Sequence, residues 1–179
     1  MKIIITAIYL AMLLSSSFSP ENGDELNYRQ IFFRWPQLSE TNGYQFRLTS
    51  NDEEVLAETT DSNSLLIENG FQWGTSYQWE ICGLEEHSDT CYEEKYFYVN
   101  PIPEHHQAEI VVLYLNESSY QAGVNIFDFE SLGYSLAVNR YGEVLWFADK
   151  YSFNNSKIIS VELLENGNFT GFAEGRGYE

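Results

Sequence analysis

Gly123-Val124-Asn125-Ile126-Phe127, Ser135-Leu136-Ala137-Val138-Asn139-Arg140-Tyr141-Gly142-Glu143-Val144-Leu145-Trp146-Phe147 and Val161-Glu162-Leu163-Leu164-Glu165-Asn166-Gly167-Asn168-Phe169-Thr170-Gly171-Phe172 decide the fold class of this chain. The second and third are hairpins. Each has a turn built on a glycine, which reaches positive φ without steric cost, between arms of β-branched and aromatic residues that suit a pleated, half-buried surface. One hairpin turns at Asn139-Arg140-Tyr141-Gly142 and the next at Glu165-Asn166-Gly167-Asn168. They follow each other like the first copies of a repeat whose remaining copies are absent.

The rest of the composition agrees with β-structure. Tyr, Phe and Trp make up 16% of the 179 residues, and helix-favouring alanine-leucine runs are missing beyond the N-terminus, so almost no helix is expected. With 44% hydrophobic residues the chain can bury a sizeable core in one large or two small domains.

Formal charge is -18, from 27 acidic and 9 basic residues. Such a surface repels nucleic acid and anionic membranes. The acids sit in turn-rich stretches such as Asp52-Glu53-Glu54, Glu85-Glu86 and Glu93-Glu94. They lack the Asp-x-Asp-x-Asp-Gly spacing of a calcium loop, so a solvated surface is expected and no metal or cofactor.

Met1-Lys2, the apolar run Ile3 to Leu14 and then Ser15-Ser16-Ser17-Phe18-Ser19 form a basic start, an apolar core and small residues near a cut, the pattern of a secretory leader. A run of 12 residues is too short to span a bilayer, which needs roughly 20. The leader is assigned to residues 1–19. A cut after Ser17 satisfies the small-residue rule, and one after Ser19 leaves Pro20 beside the break. The protein is therefore expected to be exported, periplasmic or extracellular, with no membrane association after cleavage. The two cysteines, Cys82 and Cys91, flank the head of a hairpin in an exported chain, and a disulfide is expected between them.

From residue 24 to 103, short strands alternate with turns at Gln30–Trp35, Tyr44–Ser50, Val55–Thr60, Ser64–Ile67, Tyr77–Cys82 and Lys95–Val99. That rhythm predicts a β-sandwich. Ile31, Phe33 and Trp35 alternate with polar neighbours, as do Tyr44, Phe46 and Leu48, and Tyr77, Trp79 and Ile81. One aromatic face of each strand is thus directed to a shared interior. In Phe71-Gln72-Trp73-Gly74-Thr75-Ser76-Tyr77 the tyrosine stands three residues after a turn glycine, where its hydroxyl can tie back to the preceding backbone as a tyrosine corner. With the strand ending at Trp35 and Thr41-Asn42-Gly43-Tyr44 opening the next, residues 24–103 resemble a fibronectin type III domain. A disulfide at the last hairpin is not a usual feature of that family.

Pro101-Ile102-Pro103 breaks the pattern, and strands resume at Ile110–Leu115, Val124–Phe129, Ser135–Asn139, Glu143–Phe147, Ile158–Leu164 and Phe169–Ala173. Taken with the two hairpins, residues 104–179 resemble the start of the bacterial arylsulfotransferase propeller. In that family a β-sandwich precedes six blades, and an Asp-x-x-Gly-x-x-x-Trp hairpin is followed by Leu-Pro-Asn-Gly-Asn. Here Asn139 replaces the Asp and Glu165 the Pro, while Gly142, Trp146, Asn166, Gly167 and Asn168 match. The resemblance implies an all-β chain: a fibronectin type III-like sandwich, then the first blade of an incomplete β-propeller.

That family transfers a sulfuryl group between phenolic compounds, using histidines and an arginine of later blades. None of those positions falls within this chain, so no catalytic residue is assigned. His87 lies between the cysteines, and His105 and His106 lie in the linker. Neighbouring histidines point to opposite sides of an extended chain, which disfavours joint metal binding. Asp128 and Glu130 are read as solvent-facing acids beside buried Phe127 and Phe129 rather than a hydrolytic pair. Sequons begin at Asn116, Asn154 and Asn168, where so many Asn, Ser and Thr make about two expected by chance, and they matter only in a eukaryotic secretory pathway.

Two functions remain. The leading one is the exported N-terminal portion of an arylsulfotransferase-like protein, inactive by itself and partnered by the missing blades or by another copy. The alternative is an extracellular module that binds glycan or protein, with Trp73, Trp146 and Tyr151 as candidate stacking surfaces.

Overall fold

A computed structural model describes residues 18–38, 41–84, 90–104, 112, 116, 118–119, 123–129, 133–149, 157–163 and 169–174. The leader up to residue 17, the strand predicted at Ile110–Leu115 apart from Val112, the turn Glu165–Asn168 and the residues His87, His105, His106, Glu130 and Tyr151 lie outside the described residues. The chain divides into two compact units, Met1–Pro101 and Ile102–Glu179. The described residues form 13 β-strands and contain no α-helix.

The first unit holds β1 (Asp24–Leu26), β2 (Ile31–Arg34), β3 (Tyr44–Ser50), β4 (Glu53–Thr60), β5 (Ser64–Ile67), β6 (Thr75–Gly83), β7 (Thr90–Cys91) and β8 (Lys95–Val99). One sheet runs β1-β8-β6-β3-β4, with β7 paired to the end of β6, and a second consists of β2 and β5. All these pairs are antiparallel except β1 with β8. Because side chains alternate across a strand, the inward residues of both sheets form one core. Ile31, Phe33, Trp35, Tyr44, Phe46, Leu48, Tyr77, Trp79, Ile81, Phe97 and Val99 are all buried there.

Aromatic rings dominate this core. Phe33 meets Phe46 edge-on at 4.8 Å between centroids and Trp79 at 5.3 Å, and Tyr77 stacks on Phe97 at 5.5 Å. Such contacts contribute about 0.5–1.5 kcal/mol per pair beyond burial. The indole N–H groups of Trp35 and Trp79 are buried without a hydrogen-bond partner, an opposing cost that the packing has to exceed. At the entry to β6, Gly74 adopts φ +69° and lets the chain turn. Three residues on, the Tyr77 hydroxyl accepts a hydrogen bond from the Gln72 backbone N–H at 2.7 Å.

The fold of this unit includes the residues at its beginning. Ser19 forms an antiparallel bridge with Arg34 at the end of β2, through hydrogen bonds of 2.9 and 2.8 Å in the two directions. Phe18 packs on Tyr92 and Trp79.

The second unit holds β9 (Asn125–Phe129), β10 (Tyr134–Val138), β11 (Val144–Asp149), β12 (Lys157–Leu163) and β13 (Phe169–Glu174). Strands β9, β10 and β11 form an antiparallel meander with β10 in the centre, and β12 and β13 form a hairpin. Central β10 is buried along its whole length. Its inner residues include Tyr134, stacked on Phe129 at 4.6 Å, and Leu136. One expectation is corrected here: Phe127 is not buried but 43% exposed. It lies on the outer strand β9, opposite Leu136 of β10, and an edge strand has a neighbour on one side only.

Candidate functional site

In the first unit, the residues between the core positions create the surface. Phe32 stands between buried Ile31 and Phe33, so the strand period turns it outward, and its cross-strand partner Leu66 does the same from β5. They are 49% and 54% exposed, an apolar pair on the outer face of the smaller sheet. Leu66 also borders a groove of about 390 Å³ where the two sheets diverge. Leu48, Val55, Leu56 and Ile67 give it an apolar lining, and Glu58 and Glu68 supply carboxylates.

The outer face of the larger sheet is polar and aromatic. Tyr96 of β8 is 54% exposed and lies opposite Gln78 of β6, which in turn lies opposite Thr49 of β3. Two residues further along the same strands, Arg47 and Glu80 are cross-strand partners joined at 2.6 Å. An exposed pair of this kind adds at most about 1 kcal/mol. An exposed aromatic ring whose register neighbours carry amide and guanidinium donors suits a polar ligand with an apolar face, such as a sugar ring or a peptide.

The residues singled out in the sequence are distributed differently. Cys82 and Cys91 stand directly opposite each other on β6 and β7 and form a disulfide, with Cα atoms 3.9 Å apart. Together with Glu80 they are the metal-type cluster found among the described residues, but both sulfurs are committed to the bond and offer no thiolate. Trp35 and Trp79 are 1% exposed and cannot touch a ligand. Trp73 is partly buried against the core, with the Arg29 guanidinium 6.0 Å from its ring centroid. Trp146 of β11 is half-buried and lies opposite Ala137.

In the second unit the turn between β10 and β11 is organised by Asn139. Its Oδ1 accepts the N–H groups of Tyr141 at 2.9 Å and Glu143 at 3.1 Å, while its Nδ2 donates to Glu143 Oε2 at 2.6 Å. Gly142, at φ +82°, donates to the Asn139 carbonyl at 3.0 Å. The side-chain amide can accept and donate at once, which a carboxylate cannot. Asp128 accepts the Ser135 hydroxyl at 2.5 Å, so it is tied to the neighbouring strand.

Three tyrosines hold their protons above the ordinary range: Tyr28 through burial and then Asp24, Tyr92 through burial and then Tyr44, and Tyr134 through burial. The exposed residues Phe32, Leu66 and Tyr96 were missed in the sequence. The signal for them was present, since each is an apolar or aromatic residue out of phase with the alternation of its strand.

No protein-family model matches this chain, and no curated protein matches it significantly.

Proposed function

We propose that the first unit is a fibronectin type III-like β-sandwich acting as a non-catalytic recognition module of an exported protein. The reading of the fold is supported by the division of the strands into two sheets around one aromatic core and by the Tyr77 to Gln72 hydrogen bond at the mouth of β6. Export is supported by the basic-apolar-small leader and by the disulfide. The observation that carries the function is the pair of exposed surfaces, apolar Phe32 with Leu66 on one face and aromatic Tyr96 on the other. The ligand is a glycan or an extracellular protein segment. A binding panel of immobilised glycans and extracellular proteins tests this with Tyr96→Ala, Phe32→Ser and Leu66→Ser. Saturable binding abolished by one replacement supports it; no saturable binding to any member, with the folded parent protein, defeats it.

The second unit supports a further reading, that residues 104–179 open an arylsulfotransferase-like propeller. What favours it is the order of a three-stranded meander followed by a hairpin, with the first turn knitted by Asn139 and Gly142. On this reading the sulfuryl-transfer chemistry belongs to blades outside this chain, because it requires a nucleophile and cations around the developing anion. Intact-mass measurement of the native protein from its source cells is the test. A mass well above that of this chain supports the reading, whereas sulfuryl transfer from an aryl sulfate to phenol by this chain alone overturns it.

A further inference from the structure

The first unit begins earlier than a leader of residues 1–19 allows. Ser19 contributes two backbone hydrogen bonds to Arg34, extending the smaller sheet beyond β2. The Phe18 ring meets Tyr92 edge-on at 5.0 Å and lies 5.9 Å from Trp79, and the Lys95 ammonium stands 5.0 Å from its centroid. Pro20, next in the chain, is buried.

Small residues occur at the two positions that matter for leader removal, the last before the cut and the third before it, in two registers only. One is Ser15-Ser16-Ser17 before Phe18, and the other is Ser17-Phe18-Ser19 before Pro20. Local sequence gives both the same small residues. The fold separates them, because the second would discard the bridge to Arg34 and the Phe18 ring with its three neighbours, uncovering Tyr92 and part of Trp79.

We propose that the chain is processed between Ser17 and Phe18, and that Phe18 is the N-terminal residue of the folded protein. The step is hydrolysis of one peptide bond by an export-pathway endopeptidase. Water supplies the hydroxyl that completes the Ser17 carboxylate and the proton that completes the Phe18 amine. The new terminus is then held in place by the Ser19 bridge, so the start of the mature chain is also the start of its sheet.

This inference rests on the exported reading, and one experiment separates the two. The full chain is expressed in a bacterial host, and the intact mass and N-terminal residue are determined for protein recovered from each compartment. The expected product begins at Phe18 and is found outside the cytoplasm. A product beginning at Pro20, or at any residue other than Phe18, overturns the site and leaves export standing. A chain that stays uncut in the cytoplasm or membrane overturns both. Ser15→Phe disturbs only the first register, and uncut precursor is expected to accumulate; undiminished processing at an unchanged rate, giving the Pro20 terminus, counts against the proposal. Phe18→Ala is expected to leave the cut in place and to shift the thermal unfolding of the product to lower temperature, and an unshifted transition shows that the fold does not depend on this residue.

Discussion

The hydroxyl of Tyr77 accepts the backbone N–H of Gln72 at 2.7 Å, so a buried ring on β6 fixes the loop through which the chain enters that strand. Gly74 makes the turn between them possible by adopting φ +69°. Tyr77→Phe keeps the ring and its stacking on Phe97 but strands the Gln72 donor. The expected loss of stability is about 1–3 kcal/mol, read as a lower urea midpoint at an unchanged slope. A midpoint equal to the parent's would mean that water takes over the Gln72 N–H.

Cys82 and Cys91 are separated by 9 positions and paired across β6 and β7. In the chain-entropy account, closing so short a loop stabilises by about 2.5–3 kcal/mol. Replacing both with serine, or reducing the parent protein, is expected to lower stability by that order. Comparing chemical denaturation with and without reductant checks it, and the double variant should no longer respond to reductant.

Asn139→Asp addresses the turn between β10 and β11. The introduced carboxylate still accepts from Tyr141 and Glu143 N–H, but it loses the donation to the Glu143 carboxylate and faces it with like charge. A cost of about 0.5–1.5 kcal/mol at neutral pH is expected. Two facing carboxylates favour retaining a proton in the folded state, so the deficit relative to the parent should shrink as pH falls. A pH series of denaturation curves for both proteins checks the sign, and a deficit constant with pH would show that lost hydrogen bonding alone is responsible.

Tyr134 is 1% exposed and stacked on Phe129, and burial raises its pKa above the ordinary 10.0. Folding therefore favours the protonated phenol. Its contribution to stability is complete below pH about 10 and is lost as pH rises from there through the folded-state value. Tyr134→Phe should make alkaline unfolding less steep, while ultraviolet titration of tyrosinate in the parent should show a late-ionising group missing from the variant.

Much of the first unit was legible because a strand has a period of two. Strands Tyr44–Ser50, Ser64–Ile67 and Lys95–Val99 have the predicted bounds, and the alternating aromatics at residues 31–35, 44–48 and 77–81 are the core. The disulfide was legible for a related reason, since two cysteines flanking a hairpin head are brought opposite each other by the pairing itself. The second unit was less transparent. Phe127 and Phe129 are one apolar period in sequence, yet the first is exposed and the second only partly buried, because burial on an outer strand depends on what lies beyond it. The candidate surfaces were harder still, since Phe32 and Leu66 are brought together only by the pairing of β2 with β5, and Tyr96 faces outward from the other sheet.

The sequence by itself determined that this chain is β-structured, where most of its strands run, which face of each is apolar and that its cysteines pair. These follow from local chemistry: side-chain alternation, β-propensity and the turns that glycine permits. Only the tertiary structure decided that β2 pairs with β5 while β1 lies parallel to β8, that Phe18 and Ser19 join the first unit, and which outward residues gather on a common surface. Those choices join segments far apart in the chain. They are set by the burial each pairing achieves against the entropy of closing the loop between its strands, a balance that no local window of sequence contains.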